Sequence, residues 1–179
     1  MKDLVHVWLF SHAFPAMKAT IRKYNDVDLD GLAASFLGLQ RQTASIQKSA
    51  YYKDPKDFDS LEYTRCFLEE LSRSGGMVFV AETEAAIVGH VVVRVEMLSA
   101  KERQELSCAT RGSIVELFVQ PSFQKKGIGS QLLQAAEEYC KQQRCDWISV
   151  AALMDNAEAQ DFYRKNGYGE HAVEFLKNI

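Results

Sequence analysis

The chain has 179 residues, of which 47% are hydrophobic and 25% are charged, and its formal net charge is −3 at pH 7. This length and balance are typical of one globular domain with a buried core. The slightly acidic charge gives no general reason to expect a nucleic-acid partner or an anionic membrane surface as partner. Because no run of about 18 apolar residues occurs, we expect no membrane span and a cytoplasmic location.

The first 16 residues are predicted to form a peripheral N-terminal extension, and residues 17–179 are predicted to form the single domain. Lys2 and the apolar run that follows it faintly resemble a secretory leader. However, that run is short, Asp3 and His6 interrupt it, and no clear cleavage site follows. We therefore favour the extension over secretion.

The four cysteines have neither metal-ligand nor CxxC spacing. We expect them to be reduced thiols, and we expect no metal site. They are Cys66, Cys108, Cys140 and Cys145.

The N-terminal half predicts a strand, two helices and a hairpin. Alternating residues predict the strand, capping residues and apolar stripes predict the helices, and two β-rich runs predict the hairpin. The expected elements are a strand over 19–24, a helix from 25 or 26 to Gly38, a polar loop over 40–55, a helix from 57 or 59 to 74, and strands over 77–81 and 87–97.

The C-terminal half predicts alternating strands and helices after a polar, mobile excursion over 98–112. A strand over 113–120 ends at Pro121, which cannot continue a central ladder. Helical spacing of apolar residues follows, and then a wholly apolar run typical of a strand buried on both faces. The expected elements are a helix over 130–143, a strand over 147–153, a helix from 155 or 156 to Tyr163, and a closing strand pair over 168–176.

This order predicts an α/β (α+β) fold. A strand, a helix and a strand over 113–153 require a crossover and a parallel pair, whereas the earlier hairpin is antiparallel. We expect a mixed, mostly antiparallel twisted sheet of six to seven strands with helices on both faces.

The segment with the clearest chemical pattern is Gln124-Lys125-Lys126-Gly127-Ile128-Gly129, which lies between a strand and a helix. The two glycines permit close approach of the backbone, and the helix start adds free N–H groups and the positive end of its dipole. Such a turn suits a pyrophosphate, although by itself it is also an ordinary tight turn. It matches neither a Walker loop nor the dinucleotide fingerprint.

Two motifs here resemble the GNAT superfamily of acetyltransferases. The first, Gln/Arg-x-x-Gly-x-Gly/Ala after an apolar strand and a proline, corresponds to the segment just described. The second, an Asn and then a short helix ending in Phe-Tyr-x-x-x-Gly-Tyr, corresponds to Asn156 and to 162–168. The resemblance is close over about 113–169, only topological over 19–97, and says almost nothing about 1–16 or 98–112. It implies the GNAT (acyl-CoA N-acyltransferase) fold.

The resemblance implies a binding site for acetyl-CoA as cosubstrate. Backbone groups of the strand that ends at Pro121 would pair with the pantetheine arm, the turn would hold the pyrophosphate, and an asparagine would bind the arm. Leu117 would also polarise the thioester carbonyl. The implied cofactor-binding residues are Leu117, Phe118, Val119, Gln124, Lys125, Lys126, Gly127, Ile128, Gly129, Ser130 and Asn156.

Tyr163 takes the place of the family's usual general acid, which protonates the departing thiolate. The alternative is a core aromatic at a helix end, and the surrounding motif favours the acid. Glu116 is the candidate base, because a charge amid apolar strand residues is unusual unless it faces a cleft. A partly exposed strand carboxylate is the alternative. Glu82, Glu96 and His90 are fallback bases on neighbouring predicted strands.

These residues together predict an N-acetyltransferase that moves acetyl from acetyl-CoA directly to a primary amine in a ternary complex. The acceptor would be a small molecule or a protein N-terminus, with residues 28–60 and 98–112 lining its pocket. A non-catalytic acyl-CoA binding or sensing module is the alternative, and a nucleotide-phosphate binder is a third. The sequence is also compatible with a homodimer formed through the C-terminal strands.

Overall fold

The computed structural model describes residues 19–47, 51–84, 86–107 and 109–177, and in them five strands and five α-helices are formed. The strands are β1 (Thr20–Lys23), β2 (Met77–Glu82), β3 (Ile87–Met97), β4 (Thr110–Val119) and β5 (Trp147–Val150). The helices are α1 (Leu29–Ile46), α2 (Ser60–Arg73), α3 (Glu102–Glu105), α4 (Ile128–Gln142) and α5 (Ala157–Lys165).

The strands form one sheet in the order β1-β2-β3-β4-β5. The first three pairings are antiparallel, and β4 and β5 are parallel. The parallel pair is joined through α4, as a crossover between parallel strands requires. The predicted mixed, mostly antiparallel sheet is therefore confirmed.

Helices cover both faces of this sheet, as expected. Successive residues of β2 alternate between two apolar clusters, because side chains of a strand point to opposite faces. Phe79 and Ala81 join the cluster under α4, whereas Val78 and Val80 join the cluster under α1 and α2. Burial on both faces explains why β2 and β3 have nearly continuous apolar sequences.

Helix α1 is longer than predicted, because it continues through Gly38 to Ile46 and takes up the start of the expected loop over 40–55. Gly38 lies against the ring of Phe118, and a Cβ there would be 2.7 Å from two ring carbons. The glycine therefore permits α1 to approach the sheet closely and does not end the helix.

The predicted excursion over 98–112 is also more regular than expected. It contains α3, and β4 begins at Thr110, before the expected start at Ser113. The carboxylate of Asp146 accepts hydrogen bonds from the backbone N–H groups of Ala109 and Thr110 at 2.8 and 3.2 Å. This contact fixes the entry into β4 from a residue 36 positions away.

The sheet has fewer strands than the six to seven predicted. Residues 168–177 contain no strand, so the expected closing strand pair is wrong for the described part of the chain. As a result β5 is an edge strand of only four residues, and Trp147 is 65% exposed. The prediction of a strand buried on both faces over 147–153 is wrong for the same reason.

The predicted N-terminal extension over residues 1–16 lies outside the described residues. Within the described ranges, the helices are all too short or too polar to cross a membrane.

Candidate functional site

Strands β4 and β5 separate halfway along β4. Only residues 111–114 pair with β5, and Val115 is a bulge residue, because β3 pairs with Ile114 and Glu116 on either side of it. A bulge bends its strand and increases the local twist. In the described chain, residues 116–119 therefore pair with β3 on one side and with no strand on the other, which leaves a gap in the strand pairing beside them.

The predicted phosphate turn lies at the end of this gap. Lys125 has φ 58° and Gly127 has φ 82°, and α4 begins directly afterwards at Ile128. As the residue that caps α4, Gly127 has no side chain to accept from the first N–H groups of the helix. These groups and the dipole of α4 therefore remain available to an anion.

The polar side chains of this turn point elsewhere. Gln124 Nε2 donates to the carbonyl of Val119 at 2.9 Å, and Lys126 Nζ donates to the carbonyl of Ser122 at 2.9 Å. Lys125 Nζ lies 3.4 Å from Glu158. In this turn the backbone N–H groups, and not these side chains, are therefore the groups available to a phosphate. The side chain of Gln124 instead holds the turn against the end of β4.

Helix α5 lies beside the start of α4. A Cβ on Gly129 would be 3.4 Å from the ring of Phe162, so the glycine allows the two helices to approach closely. Asn156 caps α5, since its Oδ1 accepts from the N–H of Ala159 at 3.0 Å. The structure therefore gives Asn156 a capping contact, which leaves its side-chain N–H groups for another partner.

Tyr163 is half-buried on α5 and packs edge-on against Phe162 and Tyr168. Burial raises its pKa to about 12. The described residues provide no hydrogen-bond partner for its hydroxyl, so this group stays protonated and free to donate at physiological pH.

The side chain of Glu116 lies on the face of β4 that α1 and α2 cover, opposite the face that packs on α4. Its Oε1 accepts from the hydroxyl of Tyr63 at 2.6 Å, and its Oε2 lies 3.5 Å from Nε2 of His90. The carboxylate is 15% exposed. The structure thus assigns a buried, polar surrounding to the candidate base, and burial together with this carboxylate raises the pKa of Tyr63.

The three fallback bases lie in different surroundings. Glu82 pairs with Arg22 at 2.7 Å between β1 and β2, and Glu96 pairs with Arg111 at 2.8 Å. His90 is fully buried. None of the three has the combination of burial, partners and partial access that Glu116 has.

Tyr63 and Ser35 contribute to this polar cluster and were not predicted as site residues. Ser35 Oγ lies 2.7 Å from His90 Nδ1, and both side chains are fully buried. The available signal was a serine beside the apolar positions Leu32, Ala33 and Phe36 of α1. That signal identifies no partner, because Ser35 and His90 are 55 residues apart.

A cavity of about 390 Å³ opens between the end of α1 and the start of α2. Aromatic and acidic side chains dominate its lining, and Tyr63 connects it to Glu116. The lining residues are Gln40, Tyr51, Tyr52, Lys53, Phe58, Asp59, Glu62 and Tyr63. This cavity coincides with part of the 28–60 segment that was expected to hold the acceptor.

Of the predicted thiols, Cys140 is buried and its pKa is raised by burial to about 12. Cys66 and Cys145 are free thiols as well. In the ranges that the structure describes, His, Cys, Asp and Glu side chains form no cluster that could hold a metal ion. Cys108 lies outside those ranges.

Comparison with known proteins identifies the fold and the family. The sequence model of the "Acetyltransferase (GNAT) family" matches residues 41–168. An uncharacterized N-acetyltransferase of Methanocaldococcus jannaschii is 30% identical over 155 residues, which are 86% of this chain and 62% of that protein. An N-alpha-acetyltransferase of Sulfurisphaera tokodaii is 28% identical over 108 residues, 60% of this chain and 65% of that protein. The chain therefore spans less than two thirds of the length of either relative.

Among solved structures, the aminoglycoside N-acetyltransferase AAC(6')-Iy in complex with CoA superimposes with a TM-score of 0.65. The two sequences are 16% identical, and the match covers 89% of this chain and 94% of that one. The same enzyme in complex with the bisubstrate analogue CoA-S-monomethyl-acetylneamine has a TM-score of 0.66 at 16% identity, covering 90% and 98% of the two chains. At this identity the likeness establishes the shared fold.

Proposed function

The chain belongs to the GNAT acetyltransferase family, and from this premise we propose that it transfers the acetyl group of acetyl-CoA to a primary amine. The transfer is direct, within a ternary complex of protein, acetyl-CoA and amine. The observation that carries the proposal is the gap beside residues 116–119, which ends at the left-handed turn before α4. An extended thioester arm and a diphosphate need this combination of free strand edge and helix N-terminus.

Acetyl-CoA would bind along the free side of β4. Backbone groups of Leu117 and Val119 would pair with the pantetheine amides, and Leu117 would also donate to the thioester carbonyl. The carbonyl of Val119 already accepts from Gln124, so its N–H is the group left for the arm. The N–H groups from Lys125 to Ser130 would hold the diphosphate, and Asn156 would donate to the arm through its side-chain amide.

Glu116 would act as the base. Amines are protonated at neutral pH, so a proton must leave the nitrogen before it attacks the thioester carbon. The Glu116 carboxylate accepts that proton, the C–N bond forms, and the C–S bond breaks to release the CoA thiolate, which takes up the second proton that the nitrogen loses as the amide forms. Tyr63 holds one carboxylate oxygen at 2.6 Å and thereby orients the base.

Tyr163 would assist the departing sulfur. Because its pKa is raised to about 12, its hydroxyl is protonated throughout the physiological pH range. Thiols ionise near 8.5, so complete transfer of this proton to the thiolate would be uphill. A hydrogen bond from the Tyr163 hydroxyl to the sulfur is therefore the larger part of its contribution, and the thiolate collects its proton afterwards.

The acceptor would occupy the cavity between α1 and α2. Its rings, which include Tyr51, Tyr52 and Phe58, offer faces that attract a cation. Glu62 and Asp59 add two negative charges at the same cavity, against one positive charge from Lys53. This lining favours an amine that approaches as a cation and reaches Glu116 past Tyr63.

An acetylation assay over a panel of primary amines tests the proposal. The probes are an alanine-initiated tetrapeptide, spermidine, tyramine and kanamycin, each mixed with acetyl-CoA while free thiol is measured. We expect amine-dependent thiol release with at least one probe. Binding of acetyl-CoA without any amine-dependent release would contradict transfer and favour a non-catalytic acyl-CoA module.

Substitution of Gly127 tests the cofactor site, with a matched control elsewhere. Gly127→Ala places a Cβ at φ 82° beside the diphosphate, which costs about 1–2 kcal/mol and should weaken acetyl-CoA binding in calorimetry roughly tenfold. Gly75→Ala introduces the same strain at φ 65°, where a Cβ meets no atom within 4 Å. Equal binding losses in both variants would contradict the assigned site.

A further inference from the structure

A line of polar side chains crosses the otherwise apolar interface between the sheet and helices α1 and α2. It begins at Ser35 on α1, continues through His90 on β3 and Glu116 on β4, and ends at Tyr63 on α2. The distances between the interacting atoms along this line are 2.7, 3.5 and 2.6 Å. Ser35 and His90 have no exposed surface.

Buried polar groups without partners concentrate at this same place. In the described chain, three buried side-chain atoms lack a hydrogen bond: Nε2 of His90, Oε2 of Glu116 and Nε of Arg94. Leaving such an atom unpaired costs about 1–3 kcal/mol, so native folds rarely retain one without a reason. The first two atoms face each other at 3.5 Å, so each is the natural partner of the other.

The imidazole of His90 can face Glu116 in only one favourable tautomer. If Ser35 Oγ–H donates to Nδ1, then Nε2 carries the proton and points it at the carboxylate. If Nδ1–H donates to Ser35 instead, the lone pair of Nε2 faces the negative oxygen, which is repulsive. An ionised Glu116 therefore selects the Nε2–H tautomer, and the Ser35 hydroxyl supports it.

We propose that Ser35 and His90 are positioning residues for Glu116: Ser35 fixes the His90 tautomer, and His90 Nε2–H holds the second carboxylate oxygen. With Tyr63 on Oε1 and His90 on Oε2, the plane of the carboxylate is set from both sides. A carboxylate offers about four lone-pair positions, so two remain for the proton of an incoming amine. The catalytic part of this inference rests on the proposed function.

Other charged groups near this line belong to the elements packed against it. Arg94 on β3 and Glu70 on α2 both act on the ionisation of Tyr63, in opposite directions. Removing a hydrogen-bond donor from a carboxylate disfavours its ionised form. The acidic limb of the pH–rate profile should therefore move to higher pH when His90 no longer donates.

The kinetic test compares pH profiles of kcat/KM for the wild type, Ser35→Ala, His90→Phe and His90→Gln, using two panel amines of different basicity. In Ser35→Ala and His90→Phe, we expect the midpoint of the acidic limb to move to a pH that is higher by about 0.5–1 unit. The shift should be the same for both amines. His90→Gln keeps an N–H donor and should recover part of the shift.

Thr64→Val is the matched control. Thr64 is fully buried in α2, and its hydroxyl donates to the carbonyl of Ser60 at 2.6 Å, away from Glu116. We expect it to lower stability without moving the acidic limb. If Ser35→Ala and Thr64→Val leave the limb at the same pH, the positioning role is wrong.

Nitrogen chemical shifts of the His90 ring test the tautomer without any acceptor. NMR of the folded protein should show a protonated Nε2 and a bare Nδ1, a mixture of tautomers in Ser35→Ala, and a moved Nε2 signal in Glu116→Gln. A protonated Nδ1 in the wild type overturns the inference. If the wild type acetylates no probe amine, the proposed function fails, and these shifts still decide the hydrogen-bond line.

Discussion

At the scale of single residues, similar side chains acquire different chemistry from their neighbours. Tyr163 and Tyr168 pack against each other, and burial raises the pKa of both. The hydroxyl of Tyr168 donates to Glu137 at 3.0 Å, whereas no described residue accepts from Tyr163. A free, protonated donor is suited to a departing sulfur, and an occupied one is suited to hold α4 against the C-terminal segment.

Tyr163→Phe should lower kcat about tenfold or more and change KM little, because the hydroxyl acts on the departing thiolate more than on bound substrate. Tyr168→Phe is the control, since it removes a neighbouring buried hydroxyl of the same kind. Steady-state kinetics with a panel amine measures both. A larger loss of kcat in Tyr168→Phe would contradict the role assigned to Tyr163.

The pKa of Asp28 also depends on its neighbours, although this residue lies outside the candidate site and contributes to stability. It is 7% exposed, and both of its oxygens accept from Arg22, at 2.6 and 2.8 Å. These hydrogen bonds lower the pKa of Asp28, against the opposing effect of burial. Arg22 also binds Glu82, so one guanidinium joins β1, β2 and the turn before α1.

Asp28→Asn should lower the free energy of unfolding by about 1–3 kcal/mol at pH 7. A lowered pKa means that the carboxylate stabilises the fold above its ordinary pKa and that this stability is lost as pH falls through the lowered value. The difference between wild type and variant should therefore shrink below about pH 4. Urea unfolding across pH 3–7 measures it, with exposed Asp26→Asn as control. A difference independent of pH would be the contradicting result.

At the scale of elements, the closest approach of α1 to the sheet depends on one missing Cβ. Gly38 faces the ring of Phe118, which is itself 3% exposed and cannot move away easily. Residues 116–119 lie at the same end of β4 as Phe118. The distance at which α1 packs on the sheet therefore also sets the position of the candidate site. A glycine that looks like a helix end in the sequence is a packing residue in the fold.

Gly38→Ala should destabilise the protein by about 1–2 kcal/mol, because overpacking outweighs the gain of about 1 kcal/mol in helix propensity. The double variant Gly38→Ala with Phe118→Leu should lose less than the sum of the two single variants, since the smaller side chain makes room. Urea unfolding of all four proteins completes the cycle. Additive losses would show that a clash between the new methyl group and Phe118 is not the cause of the destabilisation.

At the scale of the whole molecule, the site assembles from segments that are distant in the chain. The turn before α4, helix α5 and strand β4 form the proposed cofactor side, and α1 and α2 supply the cavity and Tyr63. A ligand that bridges β4, α4 and α5 should therefore stabilise the global fold, because unfolding any of these elements would release it.

Acetyl-CoA at about one hundred times its dissociation constant should add about 2.7 kcal/mol of stability. For a domain of this size that corresponds to a rise in Tm of roughly 5–10 °C. ATP at the same concentration should give a smaller rise, because it lacks the pantetheine arm. Thermal unfolding measures both, and an equal or larger effect of ATP would favour a nucleotide-phosphate binder.

The sequence predicted the local features of this protein well. Side-chain alternation and apolar stripes predicted the strands and helices, and the glycine pair predicted a turn before α4, because these properties depend on neighbours within a few residues. The boundaries that failed, at Gly38, over 98–112 and after Tyr168, all depend on contacts with distant segments. Glu116 was identified as unusual from its apolar neighbours alone.

The sequence by itself determined the fold class, the family and the turn before α4, since each is encoded in continuous segments. Only the tertiary structure decided that β4 leaves β5 at Val115, that the Tyr63 hydroxyl donates to one oxygen of Glu116 while His90 lies 3.5 Å from the other, and that Ser35 contacts the imidazole. These contacts join residues 26 to 55 positions apart, and their distances exist only once the sheet and helices have packed.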